Sequence, residues 1–492
     1  MILNSIRRVY FSRSVCQVHH QTLRKCWNVN SIAKARKAYC PEHQLLTPSI
    51  ETLIGRNYQG IALSLLAFQA TTTISVTMVA VAHREELLKA YQCLKLQTAV
   101  LRLHLNLAKI RMMKKRLRRW WVRPHITAHQ RDTYGGYNRL CRYLKLYDHE
   151  LFYKNFHMGP QNFDRLHELV EGRLQKQVCV RLPISSEVRL ASVLFYLANG
   201  GSVNSVCLLF LIGRSTFYKL LAETCAAIKD VLSPLHLRCP SEPAHWLSIA
   251  ERYITLWDHP YCAGSLDAMH VWIIRPPHGG SLFHNFKGFN SIVLMTLSDA
   301  DRRVTWYTLG DYGHLSDSSV YAVSALKRKL DNNELGLPAA RALPNSDVVV
   351  PIVILTDEIF PLGRHTMKPY SRRSLTTRKE KMYNFVHSRN RMPVECQYGN
   401  LQKKWEILQQ PLGFDLSTTK DVIASIMALH NFLINSNNPN LSTYEPGDLN
   451  RVQLDQQLVD GLVRPQEVRE RFAAYFALGG PGHLAWAERY IR

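Results

Sequence analysis

The 492-residue chain contains eleven scattered cysteines, yet no two form a Cys-x-x-Cys pair and no Cys/His set resembles a zinc site. A disulfide framework and a structural zinc module are therefore not indicated, and a reducing compartment fits. Acids are missing from the first 40 positions, which carry only Lys and Arg among charged residues, a composition shared with organellar transit peptides. Charge of either sign is missing from residues 57–82. That stretch is long enough to span a bilayer. Gln69 and the threonines at 71–73 dilute it, however, and a translocated chain would be cut off from nucleic acid, so no membrane association is expected. Met78 is an alternative start, and residues 1–77 read as a basic and apolar leader.

What is present is an excess of positive charge. The formal net charge is +24, which implies a polyanionic partner. The excess is concentrated: residues 1–135 hold 22 Lys and Arg against 5 Asp and Glu, hence +17, so a basic arm precedes a nearly balanced body. With 46% hydrophobic residues the chain can bury a large core and form two or three domains.

Glycine and proline are absent from residues 84–121, where leucines recur at helical spacing, which predicts one long helix. Its end, KIRMMKKRLRRWWVR, is a basic run that suits phosphate contact or nuclear import, against the plainer alternative of a solvated face. Trp120 and Trp121 are expected to pack. Residues 135–232 read as all helical. Within them SVNSVCLLFLIGRSTFYKLLAETC gives a short apolar helix, a turn at Ile212-Gly213 and a helix opened by polar residues. This is helix-turn-helix spacing, with Arg214, Ser215 and Lys219 placed to contact DNA, although a plain helical hairpin has the same pattern.

After Pro234 the period changes. Runs at 271–274, 292–297, 304–309 and 348–355 are rich in β-branched residues and bounded by Gly, Pro and Asp, so they predict strands. Helical patterns at 317–332, 394–408 and 418–435 complete an α/β layer structure. From 436 a polar linker leads to a short terminal helix. Four acids stand beside these apolar runs: Asp267, Asp317, Asp357 and Glu395. Ionised carboxylates near a core are costly unless paired or metal-bound. Converging carboxylates repel one another, and a magnesium or manganese ion relieves that repulsion. Two such ions can activate a water or hydroxyl and stabilise the leaving oxygen of a phosphodiester. The competing reading is that each acid caps a turn, most seriously for Asp317 in HLSDSSVY.

Five segments together, GSLDAMHVWIIRPP, FHNFKGFNSIVLMTLSDADRRVTWYTLGDYGHLSDSSVY, ILTDEIFPLGRHTMKPY, YNFVHSRNRMPVECQYGNLQKKWEIL and VIASIMALHNFLI, resemble in order and spacing the DDE endonuclease domain of Harbinger transposases and their domesticated nuclease relatives. The resemblance covers about 119–433. It implies an RNase H-like mixed sheet flanked by helices, preceded by a helical DNA-binding region, with Mg²⁺ or Mn²⁺ as cofactor and double-stranded DNA as substrate. It implies Asp267, Asp317 and Glu395 as catalytic acids, and leaves open whether Asp357 or Glu395 completes the triad. Lys287, Arg389 and Arg391 fall in its basic motifs and are candidate phosphate contacts. His270 and His387 are expected to orient neighbours. Two departures from the family pattern, Ala268 after the first acid and Glu358-Ile359 after Asp357, are expected to detune the site.

The expected organisation is a leader at 1–77, a long basic helix at 78–134, a helical DNA-binding region at 135–235, an endonuclease domain at 236–435 and a linker with a terminal helix at 436–492. The expected function is a nuclear, metal-dependent transposase or nuclease, assisted by a Myb-like partner protein or by self-association. The alternative is a domesticated or decayed relative that binds DNA without cutting it.

Overall fold

The computed structural model describes residues 84–113, 120–176, 182–437 and 464–478. The chain divides into two compact units, Met1–Arg119 and Trp120–Arg492. The leader at 1–77, the uncharged stretch at 57–82, the basic residues 114–119 and most of the polar linker lie outside the described residues. In the first unit the described element is helix α1, Arg84–Met113, as the leucine spacing and the lack of breakers predict.

The second unit begins with a helical region. Helices α2 (Ala128–Tyr134), α3 (Arg142–Tyr147), α4 (His149–Phe156), α5 (Pro160–Leu174), α6 (Ser186–Asn199), α7 (Val203–Leu209), α8 (Arg214–His236) and α9 (Pro243–Trp257) follow one another. Their limits are set locally. Pro160 occupies the first turn of α5, where its missing N–H costs nothing, and Ser185 caps α6 through a bond from the Val188 amide. The axes of α7 and α8 turn by 97° at their break, within the range of a helix-turn-helix. No single described helix is long and apolar enough to cross a membrane.

Strands β1 (Cys262–Trp272), β2 (Ser291–Ser298) and β3 (Val304–Tyr312) form an antiparallel meander. Helices α10 (Asp317–Val323) and α11 (Ala325–Asp331) come next, then strands β4 (Arg341–Ala342), β5 (Val349–Val350), β6 (Val353–Leu355) and β7 (Thr366–Met367). The main sheet has the order β3-β2-β1-β6-β7, with β6 and β7 parallel to β1. Helices α12 (Arg378–Lys404), α13 (Leu416–Asn437) and α14 (Pro465–Ala477) complete the unit. This mixed sheet flanked by helices, with a helical region before it, is the RNase H-like architecture expected from the sequence.

Several limits differ from the sequence reading, each for a physical reason. Strand β1 starts nine residues before the predicted 271, because Gly264, Ser265 and Asp267 break the apolar pattern although β2 pairs with the strand from Ser265 onward. Pro351 splits the predicted 348–355 strand into β5 and β6. Ser324 ends α10 and caps α11 through the Lys327 amide, so the predicted 317–332 helix is two helices. Helix α12 starts at Arg378 rather than 394: a capping box between Thr377 and Glu380 fixes its start, and it runs through the buried Pro393.

Two cores lie against this sheet. One joins the helical region to Val271, Ile292 and Leu294 of the sheet and to α13. The other packs Leu266, Val293 and Met295 against α9, β6 and α14. Helix α12 serves both: Met382, Tyr383 and Val386 enter the second core, whereas Val394, Tyr398 and Leu401 enter the first. The stretch between them, 387–393, carries His387 and Arg391, and Glu395 follows directly after Val394.

Candidate active site

The register of the sheet brings the first two acids together. Strand β6 pairs in parallel with the start of β1, with Ser265 opposite Leu355. Two residues further along each chain stand Asp267 and Asp357, at equal offset from that pair. Asp267 therefore lies not ahead of its strand, where a start at 271 would leave it, but in the middle of β1, just past the point where its neighbour β6 stops. A residue there is held on a rigid element and yet leaves its carboxylate on an open edge.

Helix α12 supplies the rest. Arg391 extends its guanidinium among three carboxylates, 3.4 Å from Asp267, 3.4 Å from Asp357 and 3.6 Å from Glu395. Its side chain is only 12% exposed, and its buried Nε has no hydrogen-bond partner among the described residues. These separations exceed the 2.7–2.9 Å usual for a charged N–H···O bond, so the cation is shared among the acids rather than clamped on one. Asp317 opens α10. Ser316 supplies the capping oxygen of that helix, accepting from the Ser319 amide at 3.2 Å, so the capping role weighed for Asp317 belongs to its neighbour.

Burial pushes the Asp267 carboxyl up to about 6. The Arg391 guanidinium and the Ala268 amide oppose that rise, and the charges of Asp317 and Asp357 add to it. The Asp317 carboxyl is raised as well, first by burial and then by Asp357, against the opposing charge of Lys287. These couplings place Asp317 and Lys287 in the electrostatic reach of the pair on the sheet. Lys287 itself is exposed and lies over the Phe286 ring at 5.5 Å.

The positioning contacts are buried. Tyr398, one helical turn beyond Glu395, donates its hydroxyl to the Asp267 carbonyl at 2.8 Å and accepts from the Thr296 amide at 3.1 Å. Gln397 donates to the Thr296 hydroxyl at 3.0 Å. One buried ring thus fixes helix, strand and acid relative to one another. His387 donates Nε2 to the Thr356 carbonyl at 2.8 Å, directly before Asp357, and its complete burial lowers its pKa to about 3. It holds the backbone as a neutral ring. His270 pairs through Nδ1 with the Ser291 hydroxyl at 2.9 Å.

The other sequence candidates fall elsewhere. Arg389 turns away from the acids and pairs with Asp258 at 2.6 Å, at the end of α9. Arg214, Ser215 and Lys219 are exposed on the first turns of α8, whose opposite face is buried through Phe217, Leu220 and Leu221. The two departures have little structural cost at their own positions. Ala268 adopts no left-handed backbone, so its methyl adds no strain. Glu358 and Ile359 are exposed, whereas Phe360 is buried against Tyr321. Tyr398 was missed by the sequence reading although it lies in the quoted PVECQYG. A single tyrosine beside a helix-borne acid gives no sign that its hydroxyl will reach a strand 131 positions away.

The donor set fits a hard divalent cation. Three carboxylates gather around one arginine and a fourth, Asp317, is coupled to two of them, so ionising all four leaves net negative charge that a divalent ion would offset. As the side chains stand, no group of three His, Cys, Asp or Glu among the described residues is arranged to hold an ion. Arg391 occupies the middle of the cluster.

Residues 266–431, about a third of the chain, match the family model described as DDE superfamily endonuclease. The matched segment contains all four acids, Lys287, Arg391 and Tyr398. No curated protein and no solved structure matches the chain.

Proposed function

We propose that this chain is a nuclear, divalent-metal-dependent DNA endonuclease or transposase of the Harbinger type. The observation that carries the reading is the gathering of Asp267, Asp357 and Glu395 on one guanidinium, with Asp317 electrostatically coupled to the first two, inside the segment that resembles a DDE endonuclease. Asp267, Asp317 and Glu395, with Asp357 beside them, hold Mg²⁺ or Mn²⁺. The bound ions would supply an activated water or DNA hydroxyl and would stabilise the leaving oxygen of the phosphodiester. The protein fixes the attacking geometry by holding its acids on a strand and a helix locked by Tyr398. Lys287 and Arg391 neutralise phosphate oxygens. Arg214, Ser215 and Lys219 engage the duplex from α8, and a Myb-like protein or a second copy of the chain assists targeting.

The test is Mg²⁺-dependent nicking of supercoiled plasmid by the full chain, compared with Asp267→Asn. Nicking by the wild type and loss of at least about 100-fold in the variant support the assignment. Equal cutting by both removes Asp267 from the chemistry.

One observation favours a second reading, a DNA-binding relative without catalysis: Arg391 already places a positive charge where an ion would have to bind. That reading predicts salt-sensitive DNA binding with no cleavage in either Mg²⁺ or Mn²⁺.

A further inference from the structure

Beside the acids, along the same face of α12, lies an open pocket of about 440 Å³ that includes His270, Trp272, Phe289, Gly399, Gln402 and Lys403 in its lining. The face is continuous. Arg391, Glu395, Gly399 and Gln402 follow at steps of four, four and three residues, so the pocket begins about 6 Å beyond Glu395 and extends to about 10 Å along the helix.

Trp272, Gly399 and Gln402 each give this wall a distinct feature. Trp272 is 44% exposed and lies 5.6 Å from Phe289, ring to ring, at the end of β1 between the buried Val271 and Ile273. Gly399 sits in the interior of a 27-residue helix, where glycine weakens the helix relative to alanine. A Cβ built there meets nothing within 4 Å, so no packing neighbour requires the glycine. The amide nitrogen of Gln402 rests on the Met269 sulfur at 3.3 Å, which leaves its carbonyl oxygen for another donor. At the rim, Phe286 is 83% exposed and touches His270 edge to face at 5.5 Å.

We infer that this pocket receives a single DNA nucleobase swung out of the duplex next to the cleaved phosphate. The inference rests on the reading that DNA is the substrate. Flat aromatic walls stack any base, an amide oxygen accepts from a base edge, and Lys403 supplies the cation that an attached phosphate needs. Gly399 clears the helix face so that the sugar can approach the backbone. Phe286 is placed to enter the gap the base leaves, as an apolar wedge between base steps.

The experiment is binding by fluorescence anisotropy, with the full chain in EDTA so that no cutting occurs. The probes are a labelled duplex carrying one unpaired central nucleotide and the same duplex with an abasic residue at that position. The wild type should bind the base-bearing duplex about tenfold more tightly. Trp272→Ala and Gly399→Leu should bring that ratio to about one. Gly399→Leu should keep or raise the melting temperature, since leucine is the better helix former, which separates loss of the pocket from loss of fold. Equal affinity of the wild type for both probes, or a ratio that survives in both variants, overturns the inference. A preference for the unpaired base in a chain that never nicks DNA upholds the pocket and sinks the nuclease reading alone.

Discussion

The carboxylate cluster and the exposed turn of α8 were both expected to meet DNA, and the structure holds them in opposite ways. Each acid on the sheet is fixed by something buried: the 265–355 register, the Tyr398 hydroxyl on the Asp267 carbonyl, the His387 ring behind Asp357. Arg214, Ser215 and Lys219 project into solvent, and only the buried face of their helix is constrained. Chemistry needs the first arrangement because a displacement of 1 Å at reacting atoms is expensive. Contact with phosphates tolerates the second, since a flexible cation follows the backbone it meets.

The contrast is open to attack from the strong end first. Asp267→Asn should abolish nicking while leaving DNA affinity intact. It should also raise the melting temperature of the metal-free protein at pH 7. The folded carboxyl titrates near 6, above its ordinary value of 3.8. The folded protein thus binds the extra proton between about pH 4 and 6, and stability contributed below pH 4 is lost as the pH climbs through 6. Removing the ionisable group removes that loss, a gain of roughly 2–4 °C by calorimetry for each kcal/mol recovered.

A smaller effect is expected at Tyr398→Phe, which touches no reacting atom. Cleavage should fall about tenfold through misplacement of Glu395 against Asp267, as for other residues that orient metal ligands. Binding of duplex DNA should not change. An unchanged rate would separate the helix lock from the chemistry. Affinity for Mn²⁺ should weaken about tenfold for each pH unit below 6 and level off above 7, because the ion must displace one proton from Asp267. A flat profile from pH 5 to 8 would show that Asp267 does not contribute to the ion's site.

The least effect is expected at the exposed helix. Lys219→Ala should lower duplex affinity a few-fold and reduce the slope of log affinity against log salt by about one, with the rate of cutting at saturating DNA unchanged. If that substitution instead abolished cleavage at saturation, the division between a rigid chemical centre and a compliant docking face would collapse.

How much of this was legible in the sequence follows from the range of the interactions. The helix-turn-helix, the strands at 292–297 and 304–309 and the terminal helix could be read because their signals are local: caps, turns and apolar period. The four acids could be singled out because carboxylates beside apolar runs are costly wherever they fall. Their grouping could not be derived from spacing, since it depends on a parallel pairing 90 positions apart. Proline was misread twice: Pro351 splits the strand read as continuous over 348–355, and Pro393 does not stop α12, where burial in two cores outweighs one lost hydrogen bond. Arg389 and Arg391 look equivalent in HSRNR. Two residues along a helix point about 200° apart, so one meets Asp258 and the other the acids.

The central claim is that these carboxylates share divalent metal. Crystals of the full chain grown in Mn²⁺ and measured for anomalous scattering test it most directly. The account predicts manganese bound by Asp267 and at least one of Asp317, Asp357 and Glu395, with Arg391 swung out of the cluster. Arg391 still seated among the acids, with no anomalous signal near them at saturating Mn²⁺, would contradict it.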